Sequence, residues 1–311
     1  MSGEKRLTRQ EINGLFDRIS NWGRWGKDDQ RGALNYITNA KRLAAAALVK
    51  TGEAVSMALP LATAPAPDNP TPVTHLMIQS GHDAHLLPSP PPFTADYLGI
   101  NTHGYANTHL DALCHIIWNG KMYNGFTASE VGSTGALKLA VDVARDGVIG
   151  RGVLLDIPAL RNVPWLELDQ HIYPDELDAA ARHHKVAVEE GDVLLVRTGR
   201  SQRRKAKGGW SPEEGLAGLD AACLPWLHEH RIAVLGSDGV SDAMPFGYDE
   251  GWLSIHTCAI VMMGVHLIDN MDLDAVAARA QALGRYEFQF IMAPLVVTRG
   301  TASPVNPIAV F

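Results

Sequence analysis

Between His103 and His115 the chain reads His103-Gly104-Tyr105-Ala106-Asn107-Thr108-His109-Leu110-Asp111-Ala112-Leu113-Cys114-His115, three histidines and one aspartate within thirteen residues. The odd positions carry His103, Tyr105, Asn107, His109, Asp111, Leu113 and His115, whereas the even positions from Ala106 to Cys114 are small or apolar apart from Thr108. In an extended chain alternate side chains leave on opposite faces, so this pattern puts imidazole and carboxylate donors on one face. Nitrogen and oxygen donors so grouped suit a transition-metal ion or acid/base chemistry. The plainer reading is the polar side of a half-buried strand. A carboxylate two residues from one histidine, with a further histidine following, favours the metal or catalytic one.

A second concentration of donors lies downstream at His256 and Asp269, with Gly264 and His266 between them and Asp238 and Asp242 before them. Metal sites recruit ligands distant in sequence, so this cluster can complete the first. A histidine beside a long apolar segment is equally at home as a satisfied core residue.

These residues need a scaffold, and the composition supplies one. Of 311 residues 46% are hydrophobic and 20% charged, the balance of an ordinary globular protein. A net charge of −7 gives no basic footprint for nucleic acid, which leaves small-molecule substrates. Three cysteines without a CxxC pair point to a reducing, cytoplasmic setting. The charged N-terminus lacks the apolar stretch of a secretory signal, and the apolar run Thr257 to Met263 is too short to span a bilayer.

Along the chain, helices are expected over Asn39 to Lys50, Asp175 to His184 behind Pro174, Leu219 to His230 with Pro225 limiting its start, and Asp272 to Ala282 closed by Gly284. Strands are expected over Val153 to Ile157, Asp192 to Arg197, Ile232 to Gly236 and Tyr286 to Thr298. Alternating strands and helices predict an α/β arrangement with some parallel pairing. No repeat or flexible linker divides the chain, so residues 1–311 are read as a single domain. Residues 58–93 hold nine prolines and scattered His75, His82 and His85, which predicts an extended, turn-rich loop able to cover an active site. Trp22 and Trp25, set among glycines, fit either core cover or the wall of a substrate pocket.

The chain resembles the cyclase family of metal-dependent hydrolases, the group of bacterial kynurenine formamidase and isatin hydrolase. The family signature His-x-Gly-Thr-His-x-Asp-x-Pro-x-His aligns with Tyr105 to His115. Further similarities are Arg24-Trp25-Gly26 with Asp28 and Asn35, Met122-Tyr123-Asn124-Gly125, Gly191 to Gly199, Gly236-Ser237-Asp238, His256 with Gly264 and an acid beyond, and Ser303 to Pro307. The resemblance implies a swivelling β/β/α fold with mixed sheets and a Zn²⁺ or Mn²⁺ site. It makes His109, Asp111, His256 and Asp269 the ligands and His115 the catalytic acid/base, with Trp22, Trp25, Asn107 and Tyr123 as substrate-pocket candidates. Three residues depart from the pattern: Tyr105 replaces the first histidine, Asn107 the glycine, and Asp269 the closing glutamate. Tyr105 leaves open whether it, His103 or water completes the coordination, or whether the site has lost its metal.

The activity so implied is hydrolysis of a C–N bond in an amide, formamide or lactam of a small aromatic or cyclic substrate, with a metal-bound hydroxide as nucleophile and His115 moving the proton. Lactone or ester hydrolysis, or a cyclase reaction, is the alternative on the same site. A metal-free binding or scaffold protein is the alternative of another class. The resemblance also implies a homodimer or homotetramer.

Overall fold

Strands whose residues are apolar on both faces belong in the middle of a sheet covered on both sides, and this chain has three of them in succession. A computed structural model describes residues 8–86, 93–245 and 253–311. Its main sheet has nine strands, numbered here in chain order: β1 (Ala54–Ser56), β2 (His109–Asp111), β3 (Val148–Asp156), β4 (Val193–Arg197), β5 (Val234–Ser237), β6 (His266–Asp269), β7 (Glu287–Met292), β8 (Ala302–Pro304) and β9 (Ile308–Val310). Their order across the sheet is β1-β9-β7-β3-β4-β5-β6-β2-β8. The centre, β3-β4-β5-β6, is parallel. Antiparallel strands flank it, with β7, β9 and β1 on one side and β2 and β8 on the other. Val153 to Leu155, Val193 to Val196 and Val234 to Leu235 are all buried, as central parallel strands require.

Parallel neighbours need crossover connections. Helices α1 (Arg9–Ile19) and α2 (Asn39–Ala46) precede the central strands; α3 (Ile157–Arg161) and α4 (Pro174–His184) link β3 to β4, and α5 (Arg200–Lys207) and α6 (Leu224–Glu229) link β4 to β5. The one-turn α7 (Ser254–His256) runs into a π-helix, Thr257–Met263, before β6, and α8 (Asp274–Leu283) follows it. One continuous apolar core runs from Ile12 to Phe311. The mixed α/β architecture expected from the alternation of elements is the one observed.

Local differences from expectation have local causes. The period-two stretch forms a strand only at His109–Asp111; residues 103–107 bend, with Gly104 at φ 135°. α1 was not among the expected helices, although Ile12, Leu15, Phe16 and Ile19 recur at helical spacing and its capping box is written in Thr8 and Glu11. Residues 219–230 divide into a 3-10 turn, Ala221–Cys223, and α6, because Pro225 is tolerated only in the first helical turn. The final long strand stops at Met292, and Leu295 to Val297 are exposed. Within the proline-rich segment, Thr74–Gln79 pairs antiparallel with Ala95–Gly99, and Gly81–Leu86 makes 3-10 turns. Its Pro90 to Pro92 run lies outside the described residues. Among the described residues no helix is long and apolar enough to cross a membrane.

Candidate metal centre

Two chain segments distant in sequence meet where β2 is sandwiched between β6 and β8. Asp269 is the direct cross-strand partner of His109, and Ala302 that of Asp111. Alternation puts His109 and Asp111 on one face, while Leu110 between them turns into the core. Pairing register then brings Asp269 to the same face. His256 arrives from another direction, at the end of α7. The π-helix beyond it closes at Gly264, whose φ of 66° suits glycine and where a Cβ would lie 2.5 Å from the Tyr123 ring. π-Helical turns recur at functional sites.

The donor atoms form two triads that share Asp111. His103, His109 and Asp111 form one, and Asp111, His256 and Asp269 the other, with the donor atoms within each lying no more than 4.8 Å apart. His103 Nδ1 is 3.0 Å and His109 Nε2 3.5 Å from Asp111 Oδ1. His256 Nε2 is 3.3 Å from Asp269 Oδ2 and 3.6 Å from Asp111 Oδ2. Both Asp111 oxygens, Asp269 Oδ1 and His103 Nδ1 are buried without a hydrogen-bond partner. His103 Nδ1 and Asp111 Oδ1 thus lie close without bonding each other, as donors aimed at a common centre do. Buried, mutually close carboxylates and imidazoles with unused lone pairs fit a divalent ion.

Each imidazole is held by its far nitrogen. His109 Nδ1 donates to the Asn107 carbonyl at 2.8 Å, which leaves Nε2 facing the site. His256 Nδ1 lies 2.6 Å from Asp242 Oδ2, and Asp242 also accepts the Ile255 and His256 backbone N–H groups. This is the carboxylate–histidine arrangement that orients metal ligands. His103 Nε2 meets Thr301 Oγ1 at 3.0 Å, and its ring stacks on His115 with centroids 3.8 Å apart. His266 reaches the Asp111 carbonyl at 2.9 Å through Nδ1. Asn270, fully buried beside Asp269, donates to the Gly104 and Asn107 carbonyls, accepts from Arg200, and receives the Thr108 hydroxyl on its own carbonyl. Asn270 thereby ties the loop before β2 to the end of β6.

Electrostatics match this geometry. Burial raises the Asp111 carboxyl, but His103, His256, His115 and His109 outweigh it and hold the group well below the usual range. Burial lowers His256, yet Asp269, Asp111 and Asp242 hold it well above the ordinary imidazole value. Buried carboxylates here demand positive charge, whether from a proton or from an ion. His115 differs: burial, aided by the neighbouring imidazoles and opposed by Asp111, pushes it down to about 4. Its Nε2 is 3.9 Å from Asp111 Oδ2 and its side chain 26% exposed, so a neutral imidazole stands at the rim of the cluster.

The cluster opens into a cavity of about 320 Å³, lined also by Tyr105, Asn101, Val240 and Leu253. Sequence candidates therefore separate in space. His103, Tyr105, His109, Asp111, His115, His256 and Asp269 line this cavity. Tyr105 packs against Trp210, Leu216 and Val240, while His103 supplies a nitrogen within the first triad. Asn107 lies behind His109, its side-chain oxygen accepting from Ala62. Among the residues described as lining the cavity, Trp22, Trp25 and Tyr123 do not occur. Trp22 donates to the Val261 carbonyl, Trp25 packs edge-on against Tyr36, and Tyr123 is fully buried with its hydroxyl on Asp29. Asp242 and His266 belong to the second donor concentration of the sequence, but their supporting roles come only from the structure. Asn270 and Arg200 carried no signal beyond the nearness of Asn270 to Asp269.

Residues 44–242 match the model of the cyclase family, described as "Putative cyclase". Among solved structures, the chain is similar to the crystal structure of a novel cyclase, at 31% identity and a TM-score of 0.86, over 95% of this chain and 99% of that one. An isatin hydrolase bound to the product analogue thioisatinate matches at 20% identity and a TM-score of 0.59, over 87% and 94%. A predicted metal-dependent hydrolase from Bacillus stearothermophilus matches at 16% identity and a TM-score of 0.51, over 83% and 97%. These last two are likenesses of fold. No curated protein matches the chain. The chain belongs to the cyclase family.

Proposed function

We propose that this protein is a metal-dependent hydrolase that cleaves a C–N bond in an amide, formamide or lactam of a small aromatic or cyclic substrate. The observation that carries this reading is the pair of donor triads, His103 with His109 and His256 with Asp269, that share Asp111 and leave carboxylate oxygens unpartnered. The solved relatives of the same fold that are isatin hydrolase and metal-dependent hydrolase support it. Zn²⁺ or Mn²⁺ is the ion that this mixed nitrogen and oxygen donor set suits.

A divalent ion held by these residues would lower the pKa of a bound water from about 15.7 to about 7 and polarise a carbonyl. The chain's own residues do the rest. Asp242 fixes His256, and the Asn107 carbonyl fixes the His109 tautomer, so the ligands are set before substrate arrives. His115 Nε2, neutral at pH 7, accepts a proton at the rim and returns it to the leaving nitrogen. His103, stacked on His115, keeps that ring from turning away. Three buried free cysteines are consistent with a reducing cytoplasm, and a homodimer or homotetramer completes the reading.

Metal analysis of the purified protein with a panel of formanilides, lactams and lactones tests it. The expected result is stoichiometric Zn or Mn, absent in His109→Ala and Asp111→Ala, with turnover of the C–N substrates. Turnover of lactones alone assigns ester chemistry instead. No metal under any reconstitution and no hydrolysis of the panel would leave a binding protein.

A further inference from the structure

A second cavity of about 320 Å³ shares Tyr105 with the first and has different chemistry. Leu59, Pro60, Leu61 and Ala62 form an apolar wall, and Asp68, Arg200, Arg204 and Lys205 supply its charge. Within the lining three cations face one carboxylate, and Lys205 reaches a second, Asp274, outside it at 3.4 Å. The carboxylate within the lining is already taken, because Arg204 grips Asp68 with two contacts of 2.6 and 3.0 Å while Arg200 Nη2 is 3.7 Å away.

Arg200 is the informative member. Only 7% of it is exposed, and its Nε has no hydrogen-bond partner. Its Nη1 donates to Asn270 at 3.1 Å and its Nη2 to the Tyr105 carbonyl at 2.7 Å, both neutral acceptors, and its guanidinium sits over the Trp210 ring. A buried guanidinium is favourable when a carboxylate meets its fork. Here, among the described residues, the only carboxylate near that fork is Asp68, standing off at 3.7 Å and gripped by Arg204, and Arg200 lines an apolar cavity that shares Tyr105 with the metal centre. Asn270, the residue following Asp269, accepts from this arginine, so one side chain joins the two cavities.

We propose that this second cavity is a carboxylate subsite: Arg200, with Lys205 at the mouth, binds the carboxylate of an organic acid whose apolar body lies against Leu59 to Ala62. The inference rests on the hydrolase reading only for calling the occupant a substrate; binding itself does not depend on it. It narrows the substrate class to anionic amides or lactams, in which the charged group is held on one side of Tyr105 and the scissile bond on the other.

The test is a ¹⁹F NMR titration of the full-length protein as purified with 4-fluorobenzoate, and in parallel with the neutral 4-fluorobenzyl alcohol. Saturable binding of the benzoate is expected, at least tenfold tighter than the alcohol. It weakens at least tenfold in Leu61→Trp, which fills the cavity, and in Arg200→Gln, and at least threefold in Lys205→Glu. Leu61 and Lys205 are exposed, so their variants remain informative if Arg200→Gln does not fold. Equal binding by Leu61→Trp, equal binding of the alcohol, no saturable binding, or loss of binding in His109→Ala but not in Leu61→Trp would each overturn the proposal. Benzoate binding with this variant pattern in a protein that takes up no metal would sink the hydrolase reading and leave the subsite standing.

Discussion

His256 Nδ1 lies 2.6 Å from Asp242 Oδ2, and the same carboxylate caps the turn that carries the histidine by accepting the Ile255 and His256 N–H groups. One aspartate therefore sets both the backbone and the tautomer of a ligand. Losing such a partner typically costs 10–100-fold in metal affinity. Asp242→Asn should weaken Zn or Mn binding by about that factor, read by competition with a chelating dye. An unchanged affinity would show that the turn alone positions His256.

His115 stands apart from His109, Asp111, His256 and Asp269 in its exposure, and its imidazole is held neutral. His115→Ala should keep its metal stoichiometry and lose about 10²–10⁴-fold in turnover, the usual range for a positioned general acid/base. Metal content by elemental analysis and single-turnover kinetics separate the two effects. Loss of metal in this variant would move His115 into the ligand set.

The Asn270 side chain joins three elements, and its backbone has a φ of 53°. Asn270→Gly keeps that conformation accessible while leaving Arg200 and the Gly104 carbonyl unpaired. At about 1–3 kcal/mol for each buried group left unsatisfied, a loss of about 3 kcal/mol is expected in urea unfolding. Asn270→Ala should lose more, because alanine also disfavours the left-handed backbone.

A pH effect away from the metal centre follows from Asp192. Burial raises its carboxyl to about 6, and Arg151 at 3.0 Å offsets this only in part because Glu189 and Glu287 share that guanidinium. An unfolded aspartate titrates near about 3.9. The folded pKa is the higher one, so the protonated form is favoured in the native state. The associated stability is complete below about pH 4 and is lost as pH rises through about 6, by about 3 kcal/mol. Asp192→Asn should flatten the stability profile between pH 4.5 and 7 relative to the parent. Parallel profiles would reject the shift.

Metal binding should also be visible as stability. An ion present at about 100 times its Kd adds about 2.7 kcal/mol to a site formed only in the folded chain. Chelation should therefore lower the melting temperature by several degrees, and re-addition of Zn or Mn should restore it. His109→Ala should show neither response.

How far the site could be read beforehand depends on the range of the interaction that builds it. Two residues of a strand separated by one other always share a face, so His109 and Asp111 were legible together from their spacing. The parallel centre of the sheet was legible for a similar reason, since Val193 to Val196 and Val234 to Leu235 are apolar on both faces. His103 and Tyr105 show where that logic ends. They share a phase in the sequence, but the bend at Gly104 breaks it, sending His103 to Asp111 and Tyr105 to the Trp210 cluster. The meeting of Asp269 with His109 is a matter of cross-strand register, and that of His256 with both is a matter of where the π-helix begins. Neither register between distant strands nor the packing of a buried turn is encoded in any short window. Both are decided when the core closes, because a strand slipped by one residue would turn Asp269 into the core and Ile268 toward the site.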